Sequence, residues 1–406
     1  MVRRFFFLVA VVSLGLAAQT APKWRQEADA LKAKGDAAGA LAVIEKAAEA
    51  DPKSAELQDE AGFLLAVLKR PAEATARFEK AIDIDPGLAA AHFHLGVICW
   101  LEKDPNRAIP QLQDAARLAP SVFDYRLKLG VSFYEVSHYQ EAIAELRAAT
   151  QLNPASASAW GSLGAALQQT GAMSEARQAY AKAVELNPND LAARNSYGFM
   201  LVQSREPAKA MEQFHMVLEA DPSNIDAILN IGFTYLHTGE YSKAEDQFRA
   251  ALTINPNSAI ARYNLGLSLK QQDDLEGAKK ELSEAIRLDS NLPEAHYTLG
   301  MTLWQLGDFE GTMKETRAAV AQRPQYGQAH YLLGTLLKQT GKLDEALKEL
   351  RESARLLPDD PGPFNMIGQI LRMKGDLVGS KQAFDEGARI KQAKEAEQAE
   401  TLRRKK

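Results

Sequence analysis

The residues of this chain best suited to chemistry are its histidines, but their spacing does not form a recognisable metal or catalytic site. His92 and His94 flank Phe93, and His296 and His330 hold the same place in two segments 34 residues apart. A zinc site needs three or four histidine, cysteine or carboxylate ligands at short spacings, and no such cluster joins these histidines. No phosphate loop, nucleophile elbow or HExxH motif occurs. We therefore predict no metal, no cofactor and no catalytic residue.

A second set of residues suits binding rather than catalysis. Tyr263, Tyr297 and Tyr331 recur every 34 residues, and Asn230 and Asn264 recur at the next place along. Tyrosine offers broad apolar contact with one polar tip, and an asparagine amide bonds a peptide backbone whatever its side chains. In register, these residues would form a ladder that suits a chain-like ligand. The alternative is that the tyrosines pack between neighbouring segments, and the sequence leaves both open.

The elements that position these residues follow from one regularity, a glycine at every 34th residue. A proline lies ten residues before nine of these glycines, with Ser290 as the exception. A period of 34 accommodates two short helices and two turns, so each segment is predicted to be a helical hairpin that buries its apolar side only by stacking. The glycines that define the repeat are Gly62, Gly96, Gly130, Gly164, Gly198, Gly232, Gly266, Gly300, Gly334 and Gly368.

Glycine inside a helix is unfavourable by about 1 kcal/mol relative to alanine, so its recurrence at one helical position needs a compensating cause. Close approach of the two helices of a hairpin is the expected cause. The repeat at 157–190 shows the pattern well, with apolar stripes at spacings of three and four on either side of Gly171. Its residues resemble the signature of the tetratricopeptide repeat family in Trp160, Leu163, Gly164, Ala176, Tyr180, Ala183 and Pro188.

The resemblance implies an all-α fold, a right-handed superhelical solenoid of stacked helix-turn-helix repeats. Eleven repeats are predicted within residues 21–394, and residues 395–406 are predicted to be a polar, capping extension of the last helix. Ser290, Thr312 and Thr316 depart from the pattern in the ninth repeat and predict weaker packing or a hinge there. The predicted repeats are 21–54, 55–88, 89–122, 123–156, 157–190, 191–224, 225–258, 259–292, 293–326, 327–360 and 361–394.

In this family the first helix of each repeat lines the concave side of the superhelix, and partners commonly lie along it as extended peptides or helices. We call the fifth, sixth, ninth, twelfth and thirteenth residues of each repeat the first-helix face. Few of these places carry charge, and a glutamine series runs along the thirteenth. The predicted peptide-binding residues are Phe93, Trp100, Asn230, Phe233, Tyr263, Asn264, Tyr297, Trp304 and Tyr331.

The N-terminus has the pattern of a secretory signal peptide, with two arginines before an apolar run from Phe5 to Ala18. This run is shorter than the roughly 20 residues that a spanning helix needs, so residues 1–20 are predicted to be a cleaved signal. We expect export, with the bacterial periplasm as the first choice and an extracellular or signal-anchored protein as alternatives. Cys99 is the only cysteine, which excludes an intramolecular disulfide and predicts a buried small hydrophobe.

The formal net charge of −5 makes nucleic acid a poor candidate partner. Because the repeats occupy nearly the whole chain, the sequence predicts no catalytic domain and a protein that is not an enzyme. The leading hypothesis is an exported scaffold whose groove, especially residues 225–340, binds a protein segment and helps assemble an envelope complex. Two alternatives stay open: a structural spacer or oligomeric adaptor with terminal or convex contacts, and an accessory subunit of polysaccharide or glycan export.

Overall fold

A computed structural model describes residues 22–404 of the chain, and this part contains twenty-two α-helices and no strand. Contacts divide the chain after Gln203 into two compact units, which are considered separately. The all-α prediction is confirmed. The predicted signal peptide, residues 1–20, lies outside the described residues, as do Lys405 and Lys406. Within 22–404 no helix is both long and apolar enough to cross a bilayer.

The first unit consists of consecutive helical hairpins. The two helices of each hairpin that lies wholly within this unit pack on each other, and each second helix packs on the first helix that follows it. Apolar side chains along these contacts form its core, in which Cys99 is buried as predicted. Its helices are α1 Lys23–Ala33, α2 Ala37–Ala50, α3 Ala55–Val67, α4 Pro71–Ile84, α5 Ala89–Leu101, α6 Pro105–Leu118, α7 Phe123–Glu135, α8 Tyr139–Leu152, α9 Ala157–Gln169, α10 Met173–Leu186 and α11 Leu191–Gln203.

The second unit repeats the same arrangement, and its last helix is twice as long as the others. Residues 391–400 of this helix are exposed along their whole length. The helices are α12 Pro207–Ala220, α13 Ile225–Thr238, α14 Tyr241–Ile254, α15 Ala259–Gln271, α16 Leu275–Leu288, α17 Pro293–Gln305, α18 Phe309–Gln322, α19 Gly327–Gln339, α20 Leu343–Leu356, α21 Pro361–Met373 and α22 Leu377–Arg404.

The repeat-defining glycines lie where the two helices of a hairpin touch. A Cβ atom added to Gly62 would lie 2.6 Å from the ring of Phe78, and one added to Gly232 would lie 2.6 Å from the ring of Phe248. The residue sixteen positions after the glycine occupies this space in each hairpin where the contact is described, and it is a phenylalanine, leucine or tyrosine in all of them except the ninth repeat, where it is Thr316. No side chain fits without displacing it, which accounts for the recurrence of glycine inside a helix.

The turn between the two helices also repeats, in a way that the sequence did not reveal. One residue per repeat adopts a positive φ, at every 34th position from Gly35 to Gly375. Glycine takes this conformation without a steric penalty, whereas a residue with a side chain is strained in it. The series contains six glycines and five other residues, which are Lys69, Lys103, Ser137, Arg205 and Asp273.

The ninth repeat packs as closely as the others, despite its departures in sequence. Thr312 and Thr316 are fully buried in α18, so the structure provides no hinge within this helix pair. The Thr312 hydroxyl donates to the carbonyl of Asp308 at 2.7 Å, but the Thr316 hydroxyl is buried without a hydrogen-bond partner among the described residues. The expected weakness of this repeat is therefore one unsatisfied hydroxyl, which costs about 1–3 kcal/mol.

Two glycines of α9 allow the close-approach explanation to be tested within one helix. A Cβ at Gly164 would lie 2.9 Å from the Tyr180 ring, whereas one at Gly161 would meet nothing nearer than Ala183 Cβ at 3.9 Å. We expect Gly164→Ala to lower the free energy of unfolding by about 1–3 kcal/mol through overpacking. Gly161→Ala should raise it by about 0.5–1 kcal/mol through helix propensity. Denaturant midpoints followed by circular dichroism measure both, and shifts of the same sign would contradict the explanation.

A second pair of substitutions tests the unsatisfied hydroxyl of α18. Thr316→Val removes a buried group without a partner and should stabilise the ninth repeat locally by about 1–2 kcal/mol. Thr312→Val is the matched control, because it removes a hydroxyl that is hydrogen bonded and should give no gain. Amide hydrogen exchange across α17 and α18 measures the local opening free energy. Equal effects of the two substitutions would show that the Thr316 hydroxyl carries no penalty.

Candidate functional site

The fourth residue of the first helix fixes the orientation of that helix in many repeats. His330 shows the arrangement: its Nδ1 lies 2.6 Å from Glu349 Oε2 on the second helix, and its Nε2 lies 3.0 Å from the carbonyl oxygen of Pro324 in the preceding turn. His296 contacts Glu315 and the Ser290 carbonyl in the same way. One planar side chain thus joins both helices of a repeat to the turn before it. We call this arrangement the fourth-place bridge.

Arginine and histidine make the whole bridge, whereas tryptophan makes only the hydrogen bond to the preceding turn. Arg262 donates to Glu281 at 2.7 Å and to the Pro256 carbonyl at 3.1 Å. Trp160, which has one N–H, donates it to the Pro154 carbonyl at 2.9 Å. His296 and His330 stand at the place that Trp160 holds in its repeat, and the property that these residues share there is a hydrogen bond to the preceding turn. The same bridge is made by His92 with Gln111 and by Arg126 with Glu145.

The bridge of the ninth repeat contains a glutamate and is nearly buried. The His296 and Glu315 side chains are only 9% and 10% exposed. A hydrogen bond from His296 lowers the pKa of Glu315, with burial opposing the shift and Lys314 supporting it. Both nitrogens of the His296 ring face oxygen atoms, and the ring donates to both only when it carries both protons.

Among the described residues, no group of three or more histidine, cysteine, aspartate or glutamate side chains could hold a metal ion.

The bridges position the first-helix face, on which the predicted tyrosines are half-buried. Each ring lies against the start of the following repeat. The ring centroids of Tyr297 and Tyr326 are 5.0 Å apart, and the ring of Tyr331 lies 3.4 Å from the Cβ position of Gly362. Burial raises the pKa of Tyr263, and a hydrogen bond with Thr298 opposes the shift. The tyrosines therefore pack between repeats and also leave part of each ring on the surface.

The two asparagines next to this ladder have unoccupied amides. Asn230 and Asn264 are partly exposed, and neither side-chain amide has a hydrogen-bond partner among the residues that the structure describes. An asparagine amide offers one acceptor and two donor hydrogens, which match a peptide N–H and C=O. In contrast, Asn224, at the start of α13, accepts a hydrogen bond from the backbone of Ala227. The first-helix face thus provides two amides in register that remain available to a ligand.

Two further predicted residues in this unit belong to aromatic pairs. Phe233 packs edge-on against His237, with ring centroids 4.4 Å apart. Trp304 packs edge-on against Phe309 at 5.8 Å, and Phe309 is 54% exposed. The second unit therefore contains seven of the nine predicted binding residues, on α13, α15, α17 and α19.

Phe93 and Trp100 lie in the first unit, where other side chains of that unit cover them. The ring of Phe93 stacks on Tyr125 at 4.6 Å. The Lys128 ammonium lies over the Trp100 ring at 5.2 Å, and burial lowers the pKa of this lysine. His94 Nδ1 lies 2.8 Å from Asp59 Oδ1 between the rings of neighbouring phenylalanines. Phe93 and Trp100 are half-buried, as the tyrosines of the second unit are, and their role in peptide binding stays a prediction.

Consecutive hairpins with a recurrent glycine contact define a helical-repeat protein. Models of the tetratricopeptide repeat match residues 62–122, 269–307 and 297–361, and the model of the cytochrome c-type biogenesis protein H TPR domain matches residues 144–262. The chain belongs to the tetratricopeptide repeat family. Proteins of this family are typically protein-interaction scaffolds and are generally not enzymes.

Solved structures resemble the chain at the level of the fold. A tetratricopeptide repeat protein from Parabacteroides merdae is 15% identical over 61% of this chain and 98% of its own, with a TM-score of 0.56. A chain of the APC/C hetero-tetramer Cut9–Hcn1 is 14% identical over 89% of this chain and 86% of its own length, with a TM-score of 0.52. A chain of the human IFIT1 dimer with m7Gppp-AAAA is 12% identical over 83% of this chain and 90% of its own length, with a TM-score of 0.50. No curated protein gave a significant sequence match.

The lowered pKa of Glu315 predicts a pH dependence of the ninth repeat. Because the pKa of Glu315 is lowered in the folded state, its bridge adds stability above the unfolded-state pKa, and this contribution is lost as the pH falls through the folded-state pKa. We expect Glu315→Gln to reduce the opening free energy of α17 and α18 by about 1.5 kcal/mol at pH 7 and by less at pH 4. Hydrogen exchange at the two pH values measures this difference. Glu310→Gln, on the exposed side of α18, is the control, and a pH-independent difference for Glu315→Gln would contradict the prediction.

Proposed function

We propose that the chain is a non-enzymatic scaffold that binds an extended peptide or protein segment along the first-helix face of residues 225–340. The observation that supports this most directly is the pair of unoccupied amides, Asn230 and Asn264, beside in-register tyrosines. An extended backbone presents an N–H and a C=O at each residue, so amides on successive helices can hold it without regard to its sequence. The half-buried tyrosine rings supply apolar contact at little cost in conformational entropy.

The setting we propose is the bacterial envelope, after export by the N-terminal signal. The family model that matches residues 144–262 describes a domain of a cytochrome c-type biogenesis protein, which supports a role in assembly. The scaffold would hold one component in position while another is added. An extracellular or signal-anchored location would be compatible with the same binding face.

An adaptor that uses a terminal surface is the second candidate. Met373, Leu377 and Val378 lie together at the turn between α21 and α22 and are 62%, 68% and 71% exposed. Exposed apolar side chains that cluster mark an interaction site more often than single ones do. In this alternative, substitutions on the first-helix face would leave partner binding unchanged. The glycan-export alternative requires sugar rings to stack on aromatic residues such as Trp304, and oligosaccharide titration with tryptophan fluorescence would reveal it.

Selection from a random peptide library, with the chain from residue 21 onward as bait, tests the proposal. Selected peptides should bind the variant Asn230→Ala/Asn264→Ala at least about tenfold more weakly than the parent, since tenfold corresponds to about 1.4 kcal/mol and each lost hydrogen bond contributes about 0.5–1.5 kcal/mol. Fluorescence anisotropy measures the Kd values, and circular dichroism checks that both proteins are equally helical.

The matched control is Asn257→Ala/Asn291→Ala, which removes two exposed turn asparagines of the same unit. This control should bind the selected peptides like the parent. If the library yields no binding peptide, or if the selected peptides bind the Asn230/Asn264 variant as tightly as the parent, the first-helix face is not the receptor. In the second case, the terminal apolar residues become the leading candidate surface.

A further inference from the structure

The first-helix face of the second unit contains cations and no carboxylate. On α13, α15, α17, α19 and α21, none of the fifth, sixth, ninth, twelfth or thirteenth residues is aspartate or glutamate. Three of these places hold Lys270, Lys338 and Arg372, all at the twelfth position of their repeats. The whole chain has the opposite balance, with 53 acidic and 48 basic residues. The first-helix face of the second unit is thus positively charged, although the chain as a whole carries a net negative charge.

The three cations are not neutralised by the protein. Lys270 and Arg372 form no ion pair with any residue that the structure describes. Lys338 bonds the neutral amide of Gln369 and lies 3.8 Å from Met366 Sδ. The Glu294 carboxylate, at the second place of α17, is already paired with Arg323 at 2.6 Å. The positive charge at the ends of these helices is therefore available to a ligand.

The twelfth places of four successive first helices hold Lys270, Trp304, Lys338 and Arg372. Equivalent residues lie side by side where these helices touch, as α15 does with α17 and α19 does with α21. The exposed Phe309 lies beside Trp304. At the adjacent thirteenth places are the exposed amides of Gln271, Gln305 and Gln339.

The helix dipole explains only part of this pattern. Cations near a helix C-terminus are stabilised by the helix dipole, which accounts for a lysine or arginine in the last turn. The dipole does not account for the absence of carboxylates from the fifth, sixth and ninth places, which lie further from the helix end. The corresponding places in the first unit include Asp59 and Glu60, so the repeat itself tolerates acids there.

We propose that the segment bound along α13 to α21 is acidic, with its backbone held by the asparagines and its carboxylates paired with Lys270, Lys338 and Arg372. This inference rests on the proposed peptide-binding function and specifies the chemistry of the ligand. Charge complementarity of this kind discriminates between partners and speeds their encounter more than it adds affinity. The bound segment crosses successive first helices about 8–10 Å apart, so an extended peptide of about 12 residues is long enough to reach all three cations.

The experiment compares three pools of fluorescein-labelled peptides of about 12 residues, random except that every third residue is fixed as Glu, Gln or Lys. The Glu pool should bind the chain about tenfold more tightly than the Gln pool at low salt (about 50 mM), because three exposed ion pairs each add a modest contribution to binding. The Lys pool should bind most weakly. The advantage of the Glu pool should shrink as salt screens the charges.

Two variants of equal charge show where the preference originates. Lys270→Gln/Lys338→Gln/Arg372→Gln should bind the Glu and Gln pools equally. Lys280→Gln/Lys348→Gln/Arg351→Gln removes three exposed cations from second helices of the same unit, and it should keep the preference. Loss of preference in both variants, or in neither, would overturn the assignment to the first-helix face.

The remaining outcomes separate this inference from the proposed function. If the Gln pool binds as tightly as the Glu pool and still requires Asn230 and Asn264, the face binds peptides without an acidic preference, and only this inference fails. If no pool binds, both fail. A single-stranded oligothymidylate of similar length serves as a fourth probe. If it competes with the Glu pool and depends on the same three cations, the ligand is a nucleic acid rather than an acidic peptide.

Discussion

The close contact between the two helices of each hairpin is the constraint on which the rest of the structure depends. The residue sixteen places after the recurrent glycine, such as Leu112 after Gly96 or Leu282 after Gly266, fills the space that a Cβ would need. This contact brings the two backbones close enough for the fourth-place bridge to reach both the second helix and the preceding turn. Without it, the first helices would lose their common orientation. The register of tyrosines and asparagines on the first-helix face would then be lost with it.

Much of the fold followed from periodicity alone. Glycine and proline at fixed spacing predicted paired helices, because both residues have strong and local backbone preferences. The turns were harder to predict, since their positive φ falls on residues as different as Lys103 and Ser137 as well as on glycine. At these positions the packing of the two flanking helices overrides the local preference of the residue. A turn position imposed by packing leaves no consistent residue type in the sequence.

The fourth-place bridge was not predicted from the sequence, for a related reason. The two side chains of a bridge are nineteen residues apart in the sequence, and the residue on the second helix varies in type. Gln111 contacts His92, whereas Glu349 contacts His330. What recurs is a planar side chain with a nitrogen that hydrogen-bonds the carbonyl of the preceding turn, which no single residue type represents. The signal that could have shown it was the presence of tryptophan, arginine and histidine at one register position. Predicting the ladder was simpler, since Tyr263, Tyr297 and Tyr331 repeat by identity, although their packing against the next repeat required the structure.

The unsatisfied hydroxyl of Thr316 lies in the repeat whose first helix carries Tyr297 and Trp304, in the middle of the proposed binding face. A ligand that spans α15 to α21 would bind only when this repeat is closed, so its apparent affinity would include the closing equilibrium of a hairpin that holds an unsatisfied buried hydroxyl. Stability at this point and binding strength are then thermodynamically coupled. A repeat array with one weak member can thus adjust how tightly it holds a partner through the interior of a hairpin, without altering any residue that touches the partner.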